Sequence, residues 1–357
     1  GELKKAPYLT FRISFLERFR RAQTARSTVE NYIYTNATAL SFTMSETYHA
    51  YESNAGAIDT LNVGDVDLTT TSNLGDANDI INNIGSLGAA GRINGQDGDD
   101  TFNGITDLAD TARLDGGAGS DTFNVLTGSD LQLSIIDGGD DADTLDLTGD
   151  VDISKAIISS IETLDLDGAG TTTMTVTQHG LFPTISAAGT QQITFSNTGV
   201  VTSHADIEDY QLANGSGNVF TLTAADAQDN SLQVVGGTGD DQFILTTTAG
   251  IAPSQTLING GVGTDTFNLV LAGGNATFTA TDLANLETVT VDLNANDFSW
   301  TTQDSDIDSN LSLTVTDTDA NVTVNFGSET SVSTATTVTA GVANAGDTLL
   351  YTLTTGA

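Results

Sequence analysis

One nine-residue pattern occurs five times in this chain, at residues 95–103, 116–124, 138–146, 236–244 and 260–268, and it restricts the fold to something built from stacked turns. Every copy opens on a glycine: Gly95, Gly116, Gly138, Gly236 or Gly260. Every copy carries an aspartate at its sixth place, Asp100, Asp121, Asp143, Asp241 or Asp265, and an apolar residue two places later, Phe102, Phe123, Leu145, Phe243 or Phe267. Glycine adopts the positive φ that turns backbone carbonyls inward, and strand alternation then aims the apolar residue into the coil. A single match would be weak, because Gly and Asp are ordinary turn formers. Five in register, four of them ending in phenylalanine, are not a chance composition.

The donors this turn collects are all oxygens, which suits a hard cation of the calcium type. The candidate metal ligands are Gly95, Asp97, Asp99 and Asp100; Asp115, Gly116, Gly117 and Asp121; Asp137, Gly138, Asp140 and Asp143; Gly236, Asp240 and Asp241; and Asn259, Gly260 and Asp265. The sixth-place aspartates recur every 21 to 24 residues within each of two blocks. A tandem array with a cation turn on both sides of every coil would repeat every nine residues. The longer period therefore predicts one such turn per coil, closed on the other side by an ordinary loop. Degenerate copies at residues 75–79 and 215–218 extend the blocks upstream through Asp79 and Asn218.

These spacings predict an all-β chain, a parallel β-solenoid of the β-roll or β-helix kind with a short basic N-terminal arm. Its expected segments are the arm and assembly segment 1–56, a first solenoid block 57–166, a linking β region 167–214 without clear calcium turns, a second block 215–300, and a Thr/Val-rich β region 301–357. Strands are expected at 171–177, 191–196 and along 311–338, the last as solenoid or as a separate fold. A second element, Ile161-Glu162-Thr163-Leu164, Ile207-Glu208-Asp209-Tyr210 and Leu286-Glu287-Thr288-Val289, alternates as a half-buried strand does, and its glutamates read first as solvated strand caps and second as functional groups.

Charge and cysteine content bound the setting. The formal net charge is −37, and residues 27–357 hold three basic groups, Arg92, Arg113 and Lys155, against 45 acidic ones. Self-repulsion on that scale opposes the compact state unless divalent cations or a basic partner offset it, and it excludes nucleic acid as a partner for the body of the chain. Cysteine is absent, so disulfides and thiolate sites are excluded. Calcium is the available substitute: an ion at tenfold above its dissociation constant adds about 1.4 kcal/mol, so five sites would add roughly 7 kcal/mol. Extracellular modules bind it with constants of about 0.1 to 1 mM, which places the expected site of folding outside the cell.

Residues 1–26 hold the other seven basic groups together with Tyr8, Leu9, Phe11, Ile13, Phe15, Leu16 and Phe19. Three readings fit this arm: it docks on a neighbouring copy's acidic solenoid, anchors to an anionic cell-surface polysaccharide or lipopolysaccharide, or forms a helix that caps the first coil. No run of about 18 apolar residues exists, so no transmembrane segment is expected.

The turns resemble those of RTX proteins. Their loose spacing, with a Thr-rich spacer and a Leu-Glu-Thr strand after the second block, resembles the calcium-dependent surface-layer proteins of Gram-negative bacteria. The resemblance covers residues 75–166 and 215–293. It implies type I export, calcium-dependent folding at the cell surface and self-assembly into a lattice or filament, the chain itself being its main partner. The next reading is a repeat segment of an RTX adhesin.

Enzyme chemistry finds little support. His49, His179 and His204 have no nearby histidine partner, and the metalloprotease, nucleophile-elbow and P-loop motifs are missing. Parallel β-helices do host polysaccharide lyases, but binding an acidic sugar needs basic residues, and the body of the chain has three. Asp304, Asp306 and Asp308 have metal-like spacing, yet Ser309 and Val315 stand where an EF-hand loop needs glycine and glutamate.

Overall fold

The structure, a computed structural model, describes residues 71–167, 170–188, 191–223, 225, 232–248, 250–252, 257–279, 282–293 and 296–302, together with strands at 32–34, 41–43, 51–53, 60–64, 312–316, 322–326, 337–340 and 348–350. The basic residues of 1–26 and the run Asp304–Asp308 lie outside the described residues. The chain divides into two compact units, Gly1–Thr173 with Leu181–Gly189, and Met174–Gly180 with Thr190–Ala357.

In the first unit the coils stack into two long parallel columns, and the short strands Ser86–Leu87, Val151–Asp152 and Gly170–Met174 pair beside them. One column runs through Tyr32–Tyr34, Tyr51–Ser53, Thr71–Gly75, Arg92–Asp97, Arg113–Ala118, Ile135–Asp140 and Ile157–Ser159. The other includes Ile80–Ile84, Thr101–Leu108, Thr122–Asp130, Thr144–Thr148, Thr163–Asp167 and Thr184–Ala188. Because the register follows a repeat of 19 to 22 residues, like stacks on like. Ile93, Leu114, Ile136 and Ile158 form one buried row, and Ile81, Phe102, Phe123, Leu145, Leu164 and Ile185 form the facing one. The Phe102 and Phe123 rings stack with centroids 4.6 Å apart. Each such buried side chain contributes about 1.5–3 kcal/mol, so the row supplies much of the cohesion between coils. The parallel, all-β solenoid predicted from the repeat is the architecture found.

The two edges of this unit are closed differently. At one edge three successive coils turn through nonapeptides, flanked by the degenerate turn at 75–79 and the tighter turn at 160–162. At the other the chain turns through a short bend in which the amide of Gly91, Ala112, Ser134 or Ala156 donates to the carbonyl three residues earlier, with Leu87, Leu108, Leu131 and Ile153 filling the interior. The glycine-rich turns thus lie on one side of the coils and plain bends on the other, the alternation the period predicts.

The second unit repeats the plan with three columns. Gln191–Phe195, Asp209–Gln211, Gln233–Val235, Ile258–Asn259 and Leu283–Ala284 form one; Val200–Thr202, Val219–Leu222, Gln242–Thr247, Thr266–Leu271, Thr288–Asp292, Ser312–Thr316 and Thr337–Ala340 form another; Ala276–Phe278, Phe298–Thr302, Val322–Phe326 and Thr348–Leu350 form the third. Phe220, Phe243, Phe267, Val289 and Leu313 stack in its core, and Trp300 is fully buried. The described strands of 301–357 therefore continue the solenoid. The strand expected over 171–177 stops at Met174, because Thr175 caps a one-turn helix, Val176–His179, through reciprocal bonds with Gln178.

Candidate metal centre

The sixth-place aspartates stack into a hydrogen-bonded ladder along the nonapeptide edge. The backbone amide of Asp79 donates to Asp100 Oδ1 at 2.7 Å, that of Asp100 to Asp121 Oδ1 at 2.7 Å, and that of Asp121 to Asp143 Oδ1 at 2.7 Å. In the second unit the Asp241 amide donates to Asp265 Oδ1 at 2.8 Å. Strand register delivers each carboxylate to the amide one coil below it. All of these aspartates are at most 2% exposed.

Each carboxylate spends one oxygen on that bond, and the other oxygen is left over. Oδ2 of Asp100, Asp121, Asp143 and Asp265 is buried with no hydrogen-bond partner. Such a group costs about 1–3 kcal/mol or more when charged, so these four groups require compensation. Each faces a place kept open by glycine. A Cβ added to Gly95 would collide with Asp100 Oδ2 and the Gly116 carbonyl, and one on Gly116 with Asp121 Oδ2 and the Gly138 carbonyl. At Gly138 the colliding groups are Asp143 Oδ2 and the Ser160 carbonyl, and at Gly260 they are Asp265 Oδ2 and the Asn285 carbonyl. Every cup therefore presents its own carboxylate oxygen and a carbonyl of the next coil.

Burial shapes the electrostatics. Loss of solvation pushes the carboxyl of Asp100 up to about 8, Asp121 to about 7, Asp143 to about 6 and Asp265 to about 7. The donated backbone hydrogen bond pulls each partly back, and the charge of the neighbouring ladder carboxylate adds to the rise. A bound divalent cation reverses this logic by holding the carboxylates ionised. Oxygen-only donors fit calcium, whereas no sulfur or imidazole is present to favour zinc or copper. Among the described residues no three His, Asp or Glu side chains converge on one point, so each cup would rely on one carboxylate and backbone carbonyls.

The other candidate ligands divide by position. Gly117 and Gly139 take φ of 118° and 115° and lie against the carbonyls of Gln96 and Gly117. Asp99 and Asp240 are exposed and staple coils from outside, accepting from the amides of Ser120 at 2.9 Å and Thr264 at 2.8 Å. Asp97 and Asp140 are also exposed. Asp115 and Asp137 stand on the opposite strand face from the cups and pair with Arg113 at 2.9 and 2.6 Å. Asn259 Oδ1 accepts from the Gly261 amide at 3.1 Å and from Asn285 Nδ2 at 2.7 Å. The structure thus brings the first glycines and sixth aspartates together, whereas Asp99, Asp240, Asp115 and Asp137 are engaged elsewhere.

Two groups differ from the repeat. Asp241 Oδ2 accepts from the Gly237 amide at 3.1 Å, while its Oδ1 accepts from Asn218 Nδ2 at 2.7 Å. Asn218 also donates to the carbonyls of Ala213 at 2.9 Å and Gly215 at 3.3 Å, so its amide nitrogen occupies the role a cation would have there. The expected solvated glutamates are engaged instead: Glu162 Oε2 accepts from the Asp143 amide at 2.9 Å and Glu287 Oε2 from the Asp265 amide at 2.6 Å. Their recurrence in the alternating element Ile161-Glu162 and Leu286-Glu287 is the signal the sequence carries. The Asp206 backbone amide donates to His204 Nδ1 at 3.5 Å.

Among the described residues no helix is long and apolar enough to cross a membrane. No protein-family model, curated protein or solved structure matches this chain.

Proposed function

We propose that this chain is a non-enzymatic, extracellular structural protein that folds on calcium and assembles with copies of itself into a cell-surface layer or filament. The observation that carries the calcium part is the row of buried, partnerless carboxylate oxygens, each facing a glycine-lined cup of carbonyls. Cations in these cups satisfy Asp100, Asp121 and Asp143 in the first unit and Asp265 in the second, and offset part of a net charge of −37. Assembly and surface location rest on the resemblance of the turns to RTX and surface-layer proteins. The scarcity of basic side chains, with Arg113 already held by Asp115 and Asp137, argues against binding an acidic substrate.

Circular dichroism and electron microscopy during a calcium titration from chelator to about 10 mM test this reading, a range that spans extracellular affinities. β-Structure and ordered sheets or filaments should appear together and disappear with chelator. A calcium-folded monomer would point to an adhesin segment, and a chain that folds fully in chelator would remove the role given to the ladder.

A further inference from the structure

The structure assigns to Glu162 and Glu287 the task of terminating the carboxylate ladder and completing its last cation cup, with the backbone carbonyls of Ser160 and Asn285 as the accompanying donors. This inference rests on the calcium reading above and goes beyond it, because neither glutamate belongs to a nonapeptide.

The two sites lie in different units and share every local feature. In a nonapeptide the first residue and the ladder carboxylate are five apart, as in Gly138 and Asp143 or Gly260 and Asp265. In the coil that follows, the residue whose carbonyl closes the cup is Ser160 or Asn285, only two before the glutamate. Both have a φ of 52°, which tightens the turn in place of the glycine loop. Three residues are thereby lost, and the extra methylene of glutamate carries its carboxylate to the ladder amide that an aspartate reaches elsewhere.

The backbone then ends the series. In a regular coil the aspartate amide donates to the carboxylate of the next coil. The Glu162 amide instead turns back to the Asp143 carbonyl at 3.2 Å, and the Glu287 amide to the Asp265 carbonyl at 3.1 Å. At the ladder position one coil beyond Glu162 stands Pro183, which has no amide to donate, while Thr184 still bonds the Glu162 carbonyl at 3.1 Å. Coils continue to stack past the glutamate, but the ladder does not. The terminal cups are not empty of demand: Asp143 and Asp265 are 0% exposed and each keeps one partnerless oxygen. Glu208, the third copy of the motif, is an internal control. It follows no nonapeptide, and the strand after it, Asp209–Gln211, belongs to the column of Gln191–Phe195 and Gln233–Val235 rather than to the nonapeptide column of Gln242–Thr247 and Thr266–Leu271.

Isothermal titration of the full chain with calcium chloride, after chelator removal, tests the assignment in Glu162→Gln, Glu287→Gln and Glu208→Gln. Gln keeps an acceptor for the ladder amide and removes the charge, so circular dichroism at saturating calcium should be unchanged. Glu162→Gln and Glu287→Gln should each lose one ion or weaken one site at least tenfold, and Glu208→Gln should titrate as the native chain does. Glu162→Asp retains the charge but not the reach and should also lose the site. If the native chain binds calcium and all four variants match it, the terminator assignment is overturned while the calcium reading stands. If the native chain binds none, both fall.

Discussion

At the residue scale, the cups separate what glycine does from what other residues tolerate. Gly116 is required by space, since any Cβ meets Asp121 Oδ2 and the Gly138 carbonyl; Gly116→Ala should cost about 1–3 kcal/mol in calcium-saturated urea unfolding. Gln96 and Asp141 stand where the pattern prefers glycine and adopt φ of 82° and 79°. Left-handed backbone costs a non-glycine residue about 1–2 kcal/mol, partly offset by the unfolded-state entropy of glycine, so Gln96→Gly should stabilise by about 0.5–1 kcal/mol in the same assay. Titration gives a signed prediction for the calcium-free chain. Carboxyls raised from an ordinary 3.8 to between about 6 and 8 bind more protons folded than unfolded. Their contribution is present in acid and lost as pH rises through that window, so stability in chelator should increase from pH 8 down to about 6.5. Below that, His179 opposes the trend: burial lowers it to about 4, so it charges in the unfolded chain first and destabilises the fold as pH falls.

At the scale of the element, the nonapeptide announced itself because turn, ligand and core residue sit in nine consecutive positions. Glu162 and Glu287 did not, since strand alternation alone points them to solvent; their role exists only once Asp143 and Asp265 are stacked beneath them. Asn218 was visible as a degenerate sixth position, but nothing in the sequence says that its amide bonds the Ala213 and Gly215 carbonyls. That contact predicts a gain of function. Asn218→Asp sets a carboxylate against those carbonyls and Asp241 Oδ1, which should destabilise the chain in chelator by about 1–3 kcal/mol, the cost of an unsatisfied buried acceptor. Calcium should remove that penalty and raise the titrated stoichiometry by one ion. The helix Val176–His179 shows the opposite limit, a Thr-rich stretch that reads as strand until Thr175 and Gln178 cap each other.

At the scale of the whole molecule, charge dominates. Among the described residues the ion pairs are those of Arg113 with Asp115 and Asp137, so repulsion across the acidic coils is met mainly by ions from solution. Raising sodium chloride shortens the screening length from about 30 Å at 0.01 M to about 3 Å at 1 M, and thermal melting in chelator should rise accordingly. Millimolar magnesium should do less than calcium at equal concentration, because Mg²⁺ sheds water reluctantly and demands regular octahedra that backbone carbonyls do not provide. The all-β solenoid was legible in the repeat because parallel stacking brings like positions of successive coils together, whereas the column from Ala276–Phe278 to Thr348–Leu350 follows from no single motif. The plain bends at 88–91, 109–112, 131–134 and 153–156 bear on how such a chain changes over time. They hold no ladder carboxylate, and alterations in loop length there leave the register of the cups untouched. That edge is where natural insertions, grafted epitopes or tethered enzymes can be accepted, which makes the molecule asymmetric in its tolerance to change.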